Sequence, residues 1–350
     1  MIIYLIVAIV STILMYIANN KVKSKNKKIL FTILSFVPFF GVMAFRYGIG
    51  YDYLNIYDKI FHTIINGGIS NWEPGIVYMI KLISMFSNDS FYFFLVTSLL
   101  ISFFTYKGIL SNSEKPWLSL LLFIIGGFYM ESMNTVRQFV ALAMFIYAIK
   151  YIKSKEPIKY IIWILIASLF HTSALVLLPL YFFCRTRLTW KKRLIVSLLL
   201  ILTIPMMSSG FYWILAQTKY SFYMTGVYAN ANPTYSELII ASILFIAASI
   251  FYKRGKDNEW YNIYYNLTFV FLIIGVLSFK VLLAYRIIMY LKITTIFMVP
   301  SIIGQVHKSK NRIIYYMLFI IFFSAITILG AYKFGWYDTQ YISIFEKWGV

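Results

Sequence analysis

The feature that most constrains this chain is a succession of long apolar runs separated by short segments rich in lysine and arginine. A run of about 20 apolar residues can cross the hydrocarbon core of a bilayer as a helix. Apolar residues make up 61% of the 350 residues, charged residues only 13%, and the mean hydropathy is +0.77. A soluble protein of this length needs more polar surface to cover its core. The sequence therefore predicts an all-α polytopic transmembrane helix bundle.

We expect about 11–13 membrane segments, some of them short or broken. The chain from residue 1 to 350 offers no linker, so we expect a single integral membrane domain. The stretch at 75–87 and the next run at 90–107 cannot both cross without inverting the orientation of every segment downstream, so we interpret 75–87 as an interfacial or re-entrant helix. Helices are predicted at 2–19, 29–45, 90–107, 117–130, 136–152, 159–172, 173–184, 194–209, 236–252, 260–279, 284–303 and 313–331.

The formal net charge is +20, and the positions of the basic residues along the chain indicate what it is for. They cluster in short segments between apolar runs, a pattern typical of cytoplasmic loops. This distribution does not form one basic face of the kind that binds nucleic acid. We therefore expect no nucleic acid as a partner. The same rule predicts that 46–74 and 209–235 are extracytoplasmic loops. The basic segments are 21–28, 150–159, 185–193, 253–256 and 308–312.

Metal and cofactor chemistry find no support in the sequence. Cys184 is the one cysteine, so no intramolecular disulfide can form, and three scattered histidines make no metal signature. Nucleotide-binding and metalloprotease motifs are missing as well. We expect no metal and no cofactor.

The segment from Arg46 to Tyr53 follows the second apolar run at its predicted outer end. An arginine there can pair with phosphate oxygens through two parallel hydrogen bonds. Asp52 lies beyond two glycines that let the chain bend. The alternative interpretation is an arginine that snorkels at a helix end, with tyrosines forming an aromatic belt.

Arg137 and Gln138 begin another long apolar run at its predicted outer end. The insertion rule disfavours a positive charge at that place, and charged groups within membrane segments usually face a cavity or a partner. A functional role is therefore expected for Arg137. The alternative is a structural ion pair with Glu131.

Two further candidates are His171, between two apolar half-helices, and Arg286, which opens a late apolar run after Tyr285. The imidazole can accept a proton or donate to phosphate, although a lone buried histidine is usually satisfied by a backbone carbonyl. Lys292 has no obvious acidic partner in the sequence, and we interpret it as a snorkelling lysine. The arginines at 46, 137 and 286 lead to the hypothesis that they converge on one diphosphate group.

Several of these segments, taken in order, resemble the EpsG family, a branch of the Wzy-like polysaccharide polymerases. The resemblance extends from about residue 40 to the end of the sequence given. The motifs that carry it are Arg46 to Tyr53, Trp72-Glu73-Pro74-Gly75, Arg137-Gln138, Phe170 to Leu175 and Tyr285-Arg286-Ile287.

The resemblance implies metal-independent polymerisation of oligosaccharide repeat units carried on polyprenyl pyrophosphate, at the outer face of the bacterial cytoplasmic membrane. A flippase and a chain-length regulator of the same pathway are possible partners besides the bilayer. The substrate-binding residues implied are Arg46, Arg137, Gln138, Arg286, Tyr53 and Tyr285. The implied candidates for activating the acceptor hydroxyl are His171, Asp52 and Glu73.

Two other functions stay open at the level of sequence. A flippase or transporter would need charged groups through the full depth of the membrane. An acyltransferase would need a buried histidine reached from the cytoplasm, whereas the predicted orientation places His171 toward the outside.

Overall fold

The computed structural model describes residues 2–189, 191–193, 195–196, 199, 213, 216–217, 235–278, 284–334 and 341–349. The predicted helix at 194–209 and the predicted loop at 209–235 lie almost wholly outside these residues. The chain divides into two compact units. Unit 1 comprises Met1–Leu175 and Val306–Val350, and unit 2 comprises Val176–Gln305.

Unit 1 is built from antiparallel helices joined by short turns. Its helices are α1 (Ile2–Asn20), α2 (Lys25–Ala44), α3 (Lys59–Ile65), α4 (Pro74–Ser84), α5 (Phe91–Asn112), α6 (Pro116–Ile125), α7 (Phe128–Asn134), α8 (Val136–Ala148), α9 (Lys150–Lys153), α10 (Pro157–Ser168), and later α16 (Ser309–Phe334) and α17 (Ile344–Trp348). A π-helical turn, Tyr53–Asp58, leads into α3. Proline is the first residue of α4, α6 and α10, where its missing N–H costs nothing.

Unit 2 contains five described helices after a 3₁₀ turn, Thr172–Leu177, that runs into it from unit 1. They are α11 (Leu180–Cys184), α12 (Tyr235–Gly255), α13 (Glu259–Leu277), α14 (Ala284–Lys292) and α15 (Thr295–Gly304). The Asn258 side chain caps α13 by accepting from the Tyr261 backbone N–H at 3.2 Å.

Within the described residues, seven helices are long and apolar enough to cross a membrane. A bent pair, α6 and α7, meets at 57° and counts as an eighth only if it is one broken span rather than a re-entrant loop. Strands are missing from the same part of the chain, which has one isolated backbone bridge instead. The predicted all-α polytopic bundle is confirmed. The seven are α1, α2, α5, α12, α13, the stretch Ala284–Gly304 and the stretch Lys310–Gly330.

Two short segments match what the charge pattern predicted. Helix α4 has 11 residues, which makes it about 16 Å long at 1.5 Å per residue, half of the hydrocarbon core. The chain also breaks at His171, between α10 and the 3₁₀ turn.

Close helix packing in unit 1 depends on small and polar residues, as membrane helices require. Gly108 in α5 faces α8, and a β-carbon built there would lie 3.0 Å from the Ile146 carbonyl carbon and closer still to its side chain. One turn further on, the Asn112 amide donates to the Ile146 carbonyl oxygen. The two helices therefore approach backbone to backbone.

We expect Gly108→Ala to destabilise the protein by about 1–3 kcal/mol, because the added methyl group forces α5 and α8 apart. Thermal unfolding of the purified protein in detergent measures the change. Gly41→Ala in α2 is the matched control, since a β-carbon there meets nothing within 4 Å, and it should be neutral or stabilising by about 0.5–1 kcal/mol. Equal effects of the two substitutions would contradict this packing.

Candidate functional site: a charged cluster at one end of unit 1

Four parts of the sequence meet at one end of unit 1. They are the end of α2 with the segment after it, the turn that begins α4, the α7–α8 junction and the end of α10. The Gly75 N–H donates to the Leu169 carbonyl at 2.9 Å, and the Arg137 N–H donates to the Tyr57 hydroxyl at 3.4 Å. Polar residues distant in sequence are thereby brought together.

The centre of this cluster is the carboxylate of Glu73, which is 7% exposed. Arg137 Nη1 donates to Glu73 Oε2 at 2.6 Å. Thr172 donates to Glu73 Oε1 through its backbone N–H at 3.2 Å and its hydroxyl at 3.3 Å. The carboxylate thus links α4, α8 and the segment after α10. The structural alternative for Arg137, a pair with Glu131, is replaced by this pair with Glu73.

The Trp72 ring covers the other side of Arg137. The guanidinium carbon lies 4.4 Å from the Trp72 ring centroid, a cation–π contact. Trp72 in turn packs edge-on against Tyr57, with ring centroids 5.4 Å apart. Arg137 keeps 21% of its side chain exposed, and its buried Nε has no hydrogen-bond partner among the described residues. Glu73 and Trp72 therefore orient the guanidinium, and part of the side chain stays exposed.

Gly75 explains why Glu73 reaches this position. A β-carbon built on Gly75 would lie 2.7 Å from the Leu169 carbonyl oxygen. Only glycine lets the start of α4 approach the end of α10 so closely. Pro74 fixes the first helical residue, and Glu73 then lies next to Thr172. The Trp72-Glu73-Pro74-Gly75 motif therefore packs the start of α4 against the end of α10.

Arg46 has a different environment from Arg137, because its side chain is fully buried. Its guanidinium donates to the Met43 carbonyl, to Ser98 Oγ at 3.0 Å and to the Met133 carbonyl at 3.2 Å. These carbonyls belong to the last turns of α2 and α7, which lack partners within their helices and favour a nearby cation. In this structure Arg46 joins two helix ends, and a substrate-binding role for it stays a prediction.

The segment after Arg46 docks on Asn134. Gly50 has φ +89°, and a β-carbon there would lie 3.0 Å from Asn134 Oδ1, so glycine is required. The same Oδ1 accepts from the Asp52 N–H at 3.0 Å. Tyr53 is buried and stacks on Phe94 with ring centroids 3.6 Å apart. Asp52 is half-buried beside the α7–α8 junction.

A late segment crosses this loop. Arg46 and Ser343 form the isolated antiparallel bridge, the Tyr47 N–H donates to the Ile342 carbonyl at 2.9 Å, and the Ile344 N–H donates to the Phe45 carbonyl at 2.8 Å. The residues before α17 are therefore part of the same end of unit 1.

His171 lies beside the ion pair. It is 5% exposed, and its Nδ1 lies 2.6 Å from Ser173 Oγ, which fixes the ring. The imidazole is close enough for its charge to lower the pKa of the Glu73 carboxyl. Gln138 is buried one residue after Arg137. Trp72, Thr172, Ser173 and Asn134 take part in this cluster although sequence reasoning did not single them out as site residues.

Tyr285 and Arg286 belong to unit 2, where both are half-buried in the first turn of α14. Their convergence with Arg46 and Arg137 stays a prediction. The interpretation of Lys292 as a snorkelling lysine without an acidic partner is wrong. Its Nζ lies 2.9 Å from Glu237 Oε1, and both side chains are largely buried. The pair could not be predicted because Glu237 lies in the first turn of α12, 55 residues before Lys292.

The charge state of Glu73 follows from its neighbours. Burial on its own would raise the pKa of the Glu73 carboxyl, but the charge of Arg137, backbone hydrogen bonds and the nearby His171 outweigh it and hold the pKa below its ordinary value. A carboxylate with a lowered pKa is a weak proton acceptor. This favours Glu73 as the residue that holds Arg137 in place.

We expect Glu73→Gln to destabilise the protein by about 3 kcal/mol, because it leaves the Arg137 charge without its partner. In an Arg137→Met background the same substitution should cost less, with a coupling energy of about 0.5–3 kcal/mol. Chemical unfolding of the four proteins in detergent measures this. Glu156→Gln, in the exposed pair with Lys159, is the control and should change nothing measurable. Additive effects at Glu73 and Arg137 would refute the coupling.

The pH dependence of stability gives a separate test. Because the Glu73 pKa is depressed, the ion pair contributes fully above the ordinary carboxyl pKa and is lost as the pH falls through the lowered value. The difference in melting temperature between wild type and Glu73→Gln should stay constant from about pH 7 to about pH 5 and shrink below that. A difference that already shrinks between about pH 7 and about pH 6 would contradict the lowered pKa.

Comparisons with known proteins give one match. The model of a family described as the EpsG family matches residues 28–341. No curated protein and no solved structure matches the chain. The matched range contains all of the candidate residues described above.

Proposed function

The chain belongs to the EpsG family, and on that premise we propose that it polymerises oligosaccharide repeat units carried on polyprenyl pyrophosphate. Membership of the family indicates a polymerase-like function in polysaccharide biosynthesis, and the apolar helices indicate a multi-pass membrane protein. The site of action proposed is the outer face of the bacterial cytoplasmic membrane, the side to which the charge pattern assigns the Arg137 cluster.

The observation that carries the proposal is the partly exposed guanidinium of Arg137, held between Glu73 and Trp72 at helix ends. Glu73 accepts a hydrogen bond from Nη1 and so fixes the orientation of the guanidinium. The other N–H groups of the guanidinium then point away from Glu73. Such a preorganised cation suits a diphosphate, whose negative charge grows as the glycosidic bond breaks.

The chemical step can be written for these residues. An acceptor hydroxyl oxygen attacks the anomeric carbon of the growing chain, the bond from that carbon to the diphosphate breaks, and polyprenyl pyrophosphate leaves with the electron pair. The hydroxyl proton passes to a base. We assign this role to His171, with Asp52 as the second candidate, because Glu73 has a lowered pKa and is engaged by Arg137 and Thr172.

The other residues have supporting roles in this proposal. Arg46 and Asn134 hold the α2 and α7 ends that carry the loop with Asp52 and Tyr53. Gln138, Tyr285 and Arg286 remain proposed contacts for the sugar or the diphosphate. The charged cluster of unit 1 lies at one end of its helices and does not line their length, which favours a polymerase over a flippase.

We expect Arg137→Met to reduce polymer formation by about 100- to 1000-fold, because it removes a preorganised donor to the leaving group. The assay supplies lipid-linked repeat units to the purified protein in proteoliposomes and follows polymer length on gels. Arg254→Met, at an exposed arginine near the end of α12, is the matched control and should retain wild-type activity.

Polymer yield within about threefold of wild type in Arg137→Met would refute the role of Arg137, since one lost donor typically costs far more. Failure of the wild-type protein to extend any lipid-linked repeat unit, while moving the same lipids across the bilayer, would refute the polymerase function and favour a flippase.

A further inference from the structure

Arg193 is a buried cation in unit 2 that the proposed polymerase function does not use. Its side chain is 1% exposed. Among the described residues, Nε, Nη1 and Nη2 of its guanidinium have no hydrogen-bond partner. The ion pairs found in the same part of the chain do not include it. Arg46, equally buried, donates to three oxygens, so burial alone does not explain Arg193.

Aromatic rings line the environment of Arg193. The guanidinium carbon lies 4.2 Å from the Tyr265 ring centroid and 5.5 Å from that of Phe269. The Tyr252 hydroxyl lies at the margin of hydrogen-bonding distance from the guanidinium and donates its own proton to the Leu188 carbonyl at 3.4 Å. Ring faces attract a cation but accept none of its N–H groups in the plane of the guanidinium. A buried charge whose donors stay unpaired is unfavourable, and an anion with several oxygens would satisfy it.

The chain that leads to Arg193 is held in place by one side chain. Asn266 is fully buried in α13, and its Nδ2 donates to the carbonyls of Phe183, Cys184 and Thr186 at 3.3, 2.9 and 2.9 Å. The turn between α11 and Arg193 is therefore anchored to α13. A site built on it is preorganised, which lowers the entropy cost of binding.

The surroundings of Arg193 favour anions. Arginines and lysines at 185, 187, 191 and 192 precede it and are exposed. The charge pattern assigns this segment to the cytoplasmic side, where anionic lipids attract basic clusters. The planar guanidinium matches phosphate oxygens better than a lysine ammonium does.

We propose that Arg193 is the core of a phosphate-binding site in unit 2, and that its ligand is the headgroup phosphate of an anionic phospholipid. Nε and the two Nη atoms donate to the phosphate oxygens, and Tyr265 and Phe269 pack against the guanidinium. Arg193 belongs to unit 2 and the Arg137 cluster to unit 1, and the proposal does not depend on the polymerase function.

Native mass spectrometry and thermal unfolding of the full-length protein test the proposal. The protein is reconstituted in nanodiscs of phosphatidylcholine with or without phosphatidylglycerol, and a third sample receives inorganic phosphate in detergent. Wild type should retain phosphatidylglycerol and melt at a higher temperature with it. Arg193→Met should weaken that binding at least tenfold, and Arg193→Lys should weaken it to an intermediate degree.

Arg187→Met, an exposed arginine in the same segment, is the matched control and should change the affinity less than twofold. Stabilisation by inorganic phosphate alone would keep the site but assign a soluble phosphate as its ligand. A wild-type protein with no preference for phosphatidylglycerol and no response to phosphate would overturn the proposal, and this measurement needs no variant to fold. Equal phosphatidylglycerol binding by wild type and Arg193→Met would overturn it too.

Discussion

One buried ion pair holds the candidate site together. Glu73 comes from the turn before α4, Arg137 from the start of α8 and Thr172 from the segment after α10, and the carboxylate bonds both partners. Taking a carboxylate out of water is unfavourable unless its oxygens are satisfied. Two partners on separate elements therefore fix how those elements meet. The position of His171 beside the pair, and the orientation of Arg137 against Trp72, depend on that arrangement.

The sequence predicted the all-α class of the fold, but not the bend between α6 and α7 and not the contacts between helices. Apolar runs and basic segments predicted an all-α membrane bundle, the short segment at 75–87 and the break at His171, because these follow from hydropathy and charge along the chain. The partner of Arg137 could not be predicted, since Glu131 was nearer in sequence than Glu73. The same limit hid the pair of Lys292 with Glu237. Glycine at position 75 was the one local signal, because its close approach to Leu169 brings Glu73 into place.

Three arginines in this protein, Arg46, Arg137 and Arg193, differ in the groups that contact their guanidinium. Arg46 donates to carbonyls at the ends of α2 and α7 and to Ser98, so its charge supports the fold. Arg137 combines a carboxylate, an aromatic ring and partial exposure, an arrangement suited to binding. Arg193 is the third of these arginines, and its contacts are with aromatic rings. The residue type alone therefore says little about the role of an arginine. The three arginines differ in the number of hydrogen-bond acceptors around each guanidinium.

The bridge between Arg46 and Ser343 has a consequence for biogenesis. Unit 1 consists of Met1–Leu175 and Val306–Val350, so all of unit 2 leaves the ribosome between its two parts. The backbone groups of Phe45 and Tyr47 gain their partners at Ile344 and Ile342 only after unit 2 has been synthesised. The guanidinium of Arg46 has all of its described partners in the first part of unit 1, so the late segment completes the backbone of this loop and not the surroundings of the charge.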